Sequence, residues 1–404
     1  MNPEYIQRTQ QLMDSQLFER YIKSFDSPAP VSIRLNPQKT SGMNVTGGER
    51  VPWCKDGWYL NARPNFTQDP LLHAGCYYVQ EAASMFIDEI IRQCMSSKTL
   101  HLQPTKVLDM CAAPGGKSTL LRSALPSECI LYANEPNSRR ANILAENIIK
   151  WGQENCIVTC NTPQDYTSNR MTFDIILCDV PCSGEGMFRK DIATQDEWSP
   201  QQVERCSALQ REIVANAWEC LNCGGVLIYS TCTFNTKENE ENIRWIINEY
   251  DAEIIYIHTE KEWGITGSLL NGFQQPVCRF IPGVTQSEGL FVCAMRKNSG
   301  TTTAEKKNRN VRTLNILADT NTPFVNKSVP TVELSYQQAI AFLRREAIAL
   351  VPQAQTGLLT VTFQGIPLGM VKNVGNRANN LYPKEWRIRT THISNNYEAI
   401  LKPA

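Results

Sequence analysis

Histidine is scarce in this chain, with four among 404 residues. That scarcity weighs against hydrolases built on a Cys–His pair, because His101 and His258 sit in or beside segments with no catalytic signature. Long apolar runs are also missing: no stretch approaches the roughly 18 uninterrupted apolar residues of a membrane helix. The first 25 residues carry charges and glutamines where a secretory signal would hold its apolar segment. A cytoplasmic protein with no membrane association is expected. A second CxxC to accompany Cys220–Cys223 is lacking, and so is a matching His pair, so no metal site is expected. Net charge is zero, since forty basic residues cancel forty acidic ones.

The cancellation hides an asymmetry. From Arg296 to Ala404 there are 15 Lys and Arg against 6 Asp and Glu, which makes the last quarter a candidate polyanion-binding module on a more acidic body. Cysteine is plentiful at fifteen, but the odd number, the chain length and the apolar surroundings of most of them suit reduced thiols in a reducing compartment. The length implies two or three domains.

The first 25 residues space Ile6, Leu12, Met13, Leu17, Phe18, Tyr21, Ile22 and Phe25 as one helix with a buried face would. Pro28 and Pro30 end it, and VSIRLN then alternates apolar Val31, Ile33 and Leu35 with polar Ser32, Arg34 and Asn36 like a half-buried strand. Residues 1–98 therefore read as a small α+β module. From Lys106 short apolar runs alternate with amphipathic segments, the pattern of a mostly parallel sheet covered by helices. Strands are expected at 106–110, 129–135, 156–160, 173–179, 225–232 and 290–296, giving a doubly wound α/β domain over 99–297. A long helix should open at Ser199-Pro200 and stop near Cys223, ahead of Gly224 and Gly225. Residues 298–325 read as a basic linker, with no apolar periodicity over 298–310. Residues 326–404 read as a compact C-terminal domain with a helix over Glu333–Leu350 and strands in GLLTVTFQGIPLGMVKN.

Three clusters carry candidate chemistry. The first, Leu108-Asp109-Met110-Cys111-Ala112-Ala113-Pro114-Gly115-Gly116-Lys117-Ser118, lies where the first strand turns into a helix, so paired glycines and free helix N–H groups meet there. A phosphate loop would need Gly at position 111, and a dinucleotide fingerprint would need G-x-G-x-x-G; neither is present. A nucleoside cofactor without a pyrophosphate survives, beside a plain Gly-rich turn. Glu135 ends the second strand, where a carboxylate can meet ribose hydroxyls. The second cluster, Asp179-Val180-Pro181-Cys182-Ser183-Gly184-Glu185-Gly186, ends the fourth strand, and the third, Ser230-Thr231-Cys232-Thr233, ends the fifth. Strand ends of one polarity aim at one crevice, so Cys182 and Cys232 should face each other if these strands are neighbours. Cys156, Cys160 and Cys178 sit in apolar runs and read as packing.

VLDMCAAPGGKS, ANE at 133–135, CDVPCSGEG, and STCT followed by KENEEN resemble the motifs of the RNA (cytosine-5) methyltransferase family. HAGCYYVQEAASM and SIRLNP are similar to that family's preceding segments, and LGMVKNVGNRANNLYPKEWRIR looks like the PUA-type tail of its bacterial branch acting on 16S ribosomal RNA. The resemblance implies a Rossmann-like class I methyltransferase core, mixed but mostly parallel, between an RNA-contacting α+β module and a PUA-like β-rich domain. It implies S-adenosylmethionine as cofactor and ribosomal RNA or the small ribosomal subunit as partner, while a monomer is the default expectation. It casts Cys232 as the thiol that adds to cytosine C6, Cys182 as the second cysteine linked to product release, Asp179 as the acid between cofactor and base, and Lys117 as a charge stabiliser. Cofactor contacts fall on Cys111, Ala112, Ala113, Pro114, Gly115, Gly116, Lys117, Glu135 and Asp179. After the third strand, where the family carries an acidic or amide residue near the adenine, this chain reads Cys160-Asn161-Thr162, and the choice between Asn161 and Thr162 stays open. Lys372, Arg377, Lys384, Trp386, Arg387 and Arg389 are the candidate RNA contacts, with Tyr382 and Trp386 as stacking groups. Transfer RNA as substrate, and RNA binding without catalysis, are the competing expectations.

Overall fold

A computed structural model of the chain describes residues 1–96, 103–300, 313–322, 324–325, 328–351, 353–390 and 392–403. Its centre is a sheet whose main strands we number along the chain: β1 Lys106–Asp109, β2 Ile130–Asn134, β3 Cys156–Thr159, β4 Phe173–Asp179, β5 Leu221–Thr231, β6 Ala252–Ile255, β7 Leu290–Lys297 and β8 Ile316–Asp319. The spatial order is β6-β7-β5-β4-β1-β2-β3-β8, with the short strand Cys278–Phe280 added beside β7. β1 pairs in parallel with β2 and β4, β2 with β3, and β4 with β5, whereas β7 and β8 run antiparallel to their neighbours. The fold is thus a mixed, mostly parallel Rossmann-like α/β sheet. β4 is nearly all apolar because helices cover both faces of the sheet. The chain winds outward from β1 in both directions, so the crevice at the carboxyl ends of β1 and β4 is the topological switch point.

Most expected strands fall within a residue or two of their places, but β5 starts early. The preceding helix opens as expected, with Ser199 accepting the Gln202 N–H, yet it ends at Cys220 and not near Cys223. Gly224 and Gly225 are absorbed in a register slip between Leu221 and Val226; Gly224 takes a φ of 78°, and a Cβ on Gly225 would come 2.9 Å from the Asp174 carbonyl oxygen. The single N-terminal helix is instead two, Pro3–Leu12 and Ser15–Lys23, because Asp14 accepts the Leu17 N–H and starts a new helix. Their apolar faces bury Tyr5 and Tyr21 against Phe188, Trp198 and Phe234, over the loops that follow β4 and β5.

The strand Val31–Leu35 is centred in a four-stranded antiparallel sheet with Gly48–Arg50, Gly57–Leu60 and Tyr77–Val79. It is not half-buried: Ser32, Arg34 and Asn36 are buried as fully as Ile33. The boundaries expected at 98 and 326 do not separate cores. Helix Phe86–Ser96 and Trp53 pack into the core of the central sheet, and Ile33, Leu71 and Tyr77 share a cluster with Ala339, Phe342 and Leu343 of the C-terminal domain. Leu401–Pro403 even pairs with Met43–Val45.

The C-terminal domain is a four-stranded sheet, Thr331–Glu333, Gly357–Phe363, Ile366–Asn373 and Ala378–Asn380, with one helix. That helix covers only Tyr336–Leu343, shorter than the 333–350 expected, since Glu333 belongs to a strand, Ser335 and Gln338 form a capping box, and Arg345 turns to a φ of 65°. The basic linker expected over 298–325 lies partly outside the described residues; within it, Ile316–Asp319 is no linker but the edge strand β8.

Candidate active site

β4 and β5 are hydrogen-bonded neighbours with Ser230 opposite Asp179, so the chain leaves both strands at the same level. The loops beyond them bring Cys182 Sγ and Cys232 Sγ to 3.3 Å. Both cysteines are partly accessible, and all fifteen cysteines are free thiols. The hydrogen bond to Cys232, then burial and the nearby Glu238 carboxylate, push the Cys182 thiol well above the ordinary thiol range. The two sulfurs share a hydrogen bond that either thiol can donate. Cys156 and Cys178 are buried in the sheet, as their apolar runs suggest, while Cys160 is half-buried.

Beside the sulfurs lies a charged pair. Lys117 Nζ is 2.8 Å from Asp179 Oδ2, and Ser230 Oγ donates to Asp179 Oδ1 at 2.7 Å. Burial opposes the lysine charge, but Asp179 first, and then Cys232, raise its pKa above the ordinary value. Lys117 remains an ammonium whose field reaches Cys232. Lys117 stands on the first turn of helix Gly116–Ala124, and Met110 through Gly115 form the loop that leads into it. Gly115 takes a φ of 114°, and a Cβ there would come 3.2 Å from Leu144; a Cβ on Gly116 would meet Tyr78 at 3.3 Å. These two positions lack side chains so that helix Ser138–Trp151 and the strand Tyr77–Val79 can pack against the turn. Beneath the loop Ser118 Oγ donates to Asp109 Oδ2 at 2.6 Å, leaving Asp109 Oδ1 buried without a partner. Burial raises that carboxyl to about 7.

Glu135 follows β2, which is the neighbour of β1 in the sheet, and is buried. It accepts the Asn137 N–H at 2.9 Å and pairs with Arg140 at 3.2 Å. The two residues left open after β3 are both engaged elsewhere: Asn161 exchanges hydrogen bonds with the backbone of Asn315 at 3.2 and 3.0 Å, and Thr162 caps helix Pro163–Ser168 through Asp165.

Sequence reasoning gave no role to the polar residues that hold the two cysteine loops. Glu238 accepts the Ser183 N–H at 3.0 Å and the amides of Gln210 and Asn235 at 2.7 and 2.8 Å. Glu185 accepts the backbone N–H groups of Phe234 and Asn235 at 2.6 and 3.0 Å and the Trp198 indole N–H at 3.0 Å. Thr231 Oγ1 donates to Asn239 Oδ1 at 2.6 Å, and Gly186 N–H donates to the Cys232 carbonyl at 2.7 Å, where a Cβ would come within 2.6 Å of that oxygen. Each cysteine loop is thereby tied to the other. KENEEN and GEG carried the signal, but isolated carboxylates in a sequence look solvated.

Residues 98–296 match the family described as 16S rRNA methyltransferase RsmB/F; residues 1–82 match its RsmF N-terminal domain, and residues 329–388 the RsmF PUA domain. The ribosomal RNA small subunit methyltransferase F of Cronobacter sakazakii is 30% identical over 386 residues, covering 88% of this chain and 77% of that protein. The chain belongs to the RsmB/F family. The protein of the same name from Pectobacterium atrosepticum is 32% identical over 313 residues, 73% of this chain but 62% of its own length. The RsmB/F-family chain thus spans less than two thirds of some curated relatives. Among solved structures, a methyltransferase homolog protein from Pyrococcus horikoshii aligns with a TM-score of 0.57 and 27% identity over 74% of this chain and all of that one. NSun6 from Pyrococcus horikoshii with SFG shares the fold, with a TM-score of 0.61 and 20% identity over 74% of this chain and 99% of that one.

The candidate RNA contacts of this RsmB/F-family chain divide into two sets. Lys372, Arg377, Lys384, Arg387 and Arg389 are exposed. Tyr382 is buried, edge-on to Phe342 at 5.2 Å, so it is core and not a stacking platform. Trp386 is half-buried against Phe324, with Lys150 Nζ 5.3 Å from its ring centre, and so packs the C-terminal domain onto helix Ser138–Trp151. Among the described residues no group of three or more His, Cys, Asp or Glu could hold a metal ion, and no helix is long and apolar enough to cross a membrane.

Proposed function

We propose that this chain is a cytoplasmic, monomeric S-adenosylmethionine-dependent methyltransferase acting on carbon 5 of cytosine in small-subunit ribosomal RNA. The two sulfurs at 3.3 Å beside the Lys117–Asp179 pair carry this reading. Carbon 5 of cytosine is a poor nucleophile, and thiolate addition at C6 makes it carbanion-like. Cys232 is assigned to that addition, with the Lys117 ammonium nearby and Cys182 hydrogen-bonded to its sulfur. Asp179, anchored by Lys117 and Ser230, hydrogen-bonds the ring and orients it. C5 then takes the methyl group, the C5 proton departs to solvent, and the Cys232–C6 bond breaks as the Cys182 S–H stabilises the leaving thiolate.

The cofactor, which supplies the electrophilic methyl group, fits the residues present. The loop Cys111–Lys117 leads into the start of helix Gly116–Ala124 with its free backbone N–H groups, Asp109 keeps a free buried oxygen behind it, and Glu135 sits where ribose hydroxyls would be met. Because Asn161 and Thr162 are both committed to protein partners, their contact with an adenine would be through the remaining lone pairs and backbone. The target base must leave its stack to reach two thiols in a crevice, at a cost of a few kcal/mol. The exposed cations of residues 329–389 offset that cost through phosphate contacts. Incubation with labelled S-adenosylmethionine and 16S ribosomal RNA, followed by bisulfite sequencing, tests the proposal. It predicts protection at a defined cytosine; labelled RNA with every cytosine still convertible would overturn it.

A further inference from the structure

One short stretch of the N-terminal module reaches the methyltransferase core with three side chains. Arg34, Asn36 and Lys39 all leave the strand Val31–Leu35 or the turn after it. Asn36 Nδ2 donates to the Trp151 carbonyl at 2.8 Å, and Lys39 Nζ donates to the Lys150 carbonyl at 2.6 Å. Both therefore cap the carboxyl end of helix Ser138–Trp151, where free carbonyls favour donors and positive charge.

Arg34 goes elsewhere. Its guanidinium is 2% exposed and lies 4.5 Å from the centre of the Trp151 ring. Nη2 donates to Thr119 Oγ1 at 2.6 Å and to the Gly116 carbonyl at 3.2 Å, and Nε donates to Gln80 Oε1 at 2.8 Å. Thr119 in turn donates to the Gly115 carbonyl at 2.8 Å. A buried guanidinium of this kind is costly unless its hydrogen-bonding geometry is met, and here Nη2 holds the turn carrying Gly115, Gly116 and Lys117 directly through the Gly116 carbonyl and indirectly through Thr119. The wall facing Gly116 also comes from the N-terminal module, through Tyr78 and Gln80.

We propose that Arg34 is a positioning residue for the cofactor loop, so that the N-terminal module forms the rear wall of the S-adenosylmethionine site as well as contacting RNA. This rests on the reading that the loop Cys111–Lys117 holds S-adenosylmethionine. The guanidinium fixes the Gly116 carbonyl from behind, which sets the direction of the neighbouring N–H groups and of the Lys117 stem. Asn36 and Lys39 dock the same module without touching the loop, and they serve as internal controls.

The test compares full-length Arg34→Lys, Arg34→Met, Asn36→Ala and Lys39→Met. Three readouts are taken: calorimetric titration with S-adenosylmethionine, RNA affinity by anisotropy, and melting temperature. Arg34→Met should weaken cofactor binding by about tenfold or more, as expected for losing charge-assisted hydrogen bonds, and Arg34→Lys by less. Asn36→Ala and Lys39→Met should lower the melting temperature while leaving cofactor affinity unchanged. If the Arg34 variants melt earlier but bind the cofactor like the parent, or if all four variants lose cofactor and RNA binding together, the residue is only structural and the proposal fails. Should Arg34→Met not fold, Arg34→Lys carries the same comparison. An unmodified protein that binds no S-adenosylmethionine would refute the functional reading itself, a result distinct from either.

Discussion

Cys182 and Cys232 come from the ends of adjacent parallel strands, their sulfurs stand 3.3 Å apart, and the hydrogen bond to Cys232 pushes the Cys182 thiol well above the ordinary thiol range. Two thiols so placed are not equivalent. Cys232→Ala is expected to lower methyl transfer by at least about 10⁴-fold, as removal of a nucleophile does. Cys182→Ala should leave the addition step but slow turnover. Single-turnover transfer of labelled methyl to RNA measures the first, and the ratio of burst to steady state measures the second.

Lys117 is half-buried 2.8 Å from Asp179, which raises its pKa above the ordinary value. Lys117→Met should cost about 10²–10³ in rate, in the range for losing a preorganised charge next to the reacting atoms. Single-turnover transfer of labelled methyl to RNA by the variant measures this loss.

Burial raises Glu238 from 4.5 to about 7, with Glu185 adding to the effect. The folded protein therefore binds this proton more tightly than the unfolded chain. The stability so contributed is fully present below about pH 4.5 and is lost as pH rises through about 7. Asp109 and Glu288, also raised to about 7, add to the same loss. Glu238→Gln should consequently show a smaller fall in melting temperature between pH 5 and pH 8 than the unmodified protein, measured by calorimetry in matched buffers.

Much of this site could be read from the chain. Strands β1 to β5 stood out because helices cover both faces and leave continuous apolar runs, and strand ends of one polarity then brought Cys182 beside Cys232 and Asp179 beside Lys117. What stayed hidden depends on contacts between distant segments. Arg34 looked solvent-facing because alternation along a strand cannot show that a second domain covers the polar side. Glu185 and Glu238 looked like surface charges until the N–H groups of Phe234 and Ser183, 49 and 55 residues away in the chain, were in place. β8 has a weak pattern of its own, since an edge strand needs only a partner. Tyr382 lies in a basic stretch, and only the fold shows that its ring belongs to the core.

The N-terminal module and the C-terminal domain share one hydrophobic cluster. Leu343 is fully buried in that cluster with Leu71 and Tyr77. Leu343→Ala should destabilise by about 2–5 kcal/mol. Hydrogen exchange should then report faster opening at Met43–Val45 as well as in the C-terminal sheet, because Leu401–Pro403 pairs there.

Lys372, Arg377, Lys384, Arg387 and Arg389 are exposed on the C-terminal domain. Replacing Arg377, Arg387 and Arg389 by Gln should lower the slope of log affinity against log salt by about 2, since each single-strand phosphate no longer neutralised takes away about 0.7. Anisotropy titrations over a salt series measure that slope, and cofactor affinity should not change.

The central claim is a covalent bond from Cys232 to the target base. Mass spectrometry of proteolysed Cys182→Ala protein, after incubation with S-adenosylmethionine and RNA, tests it most directly. The account predicts a nucleotide-sized mass on the peptide containing Cys232. The same mass on any other residue, or RNA methylated at carbon 5 with no adduct at any time point, would contradict it.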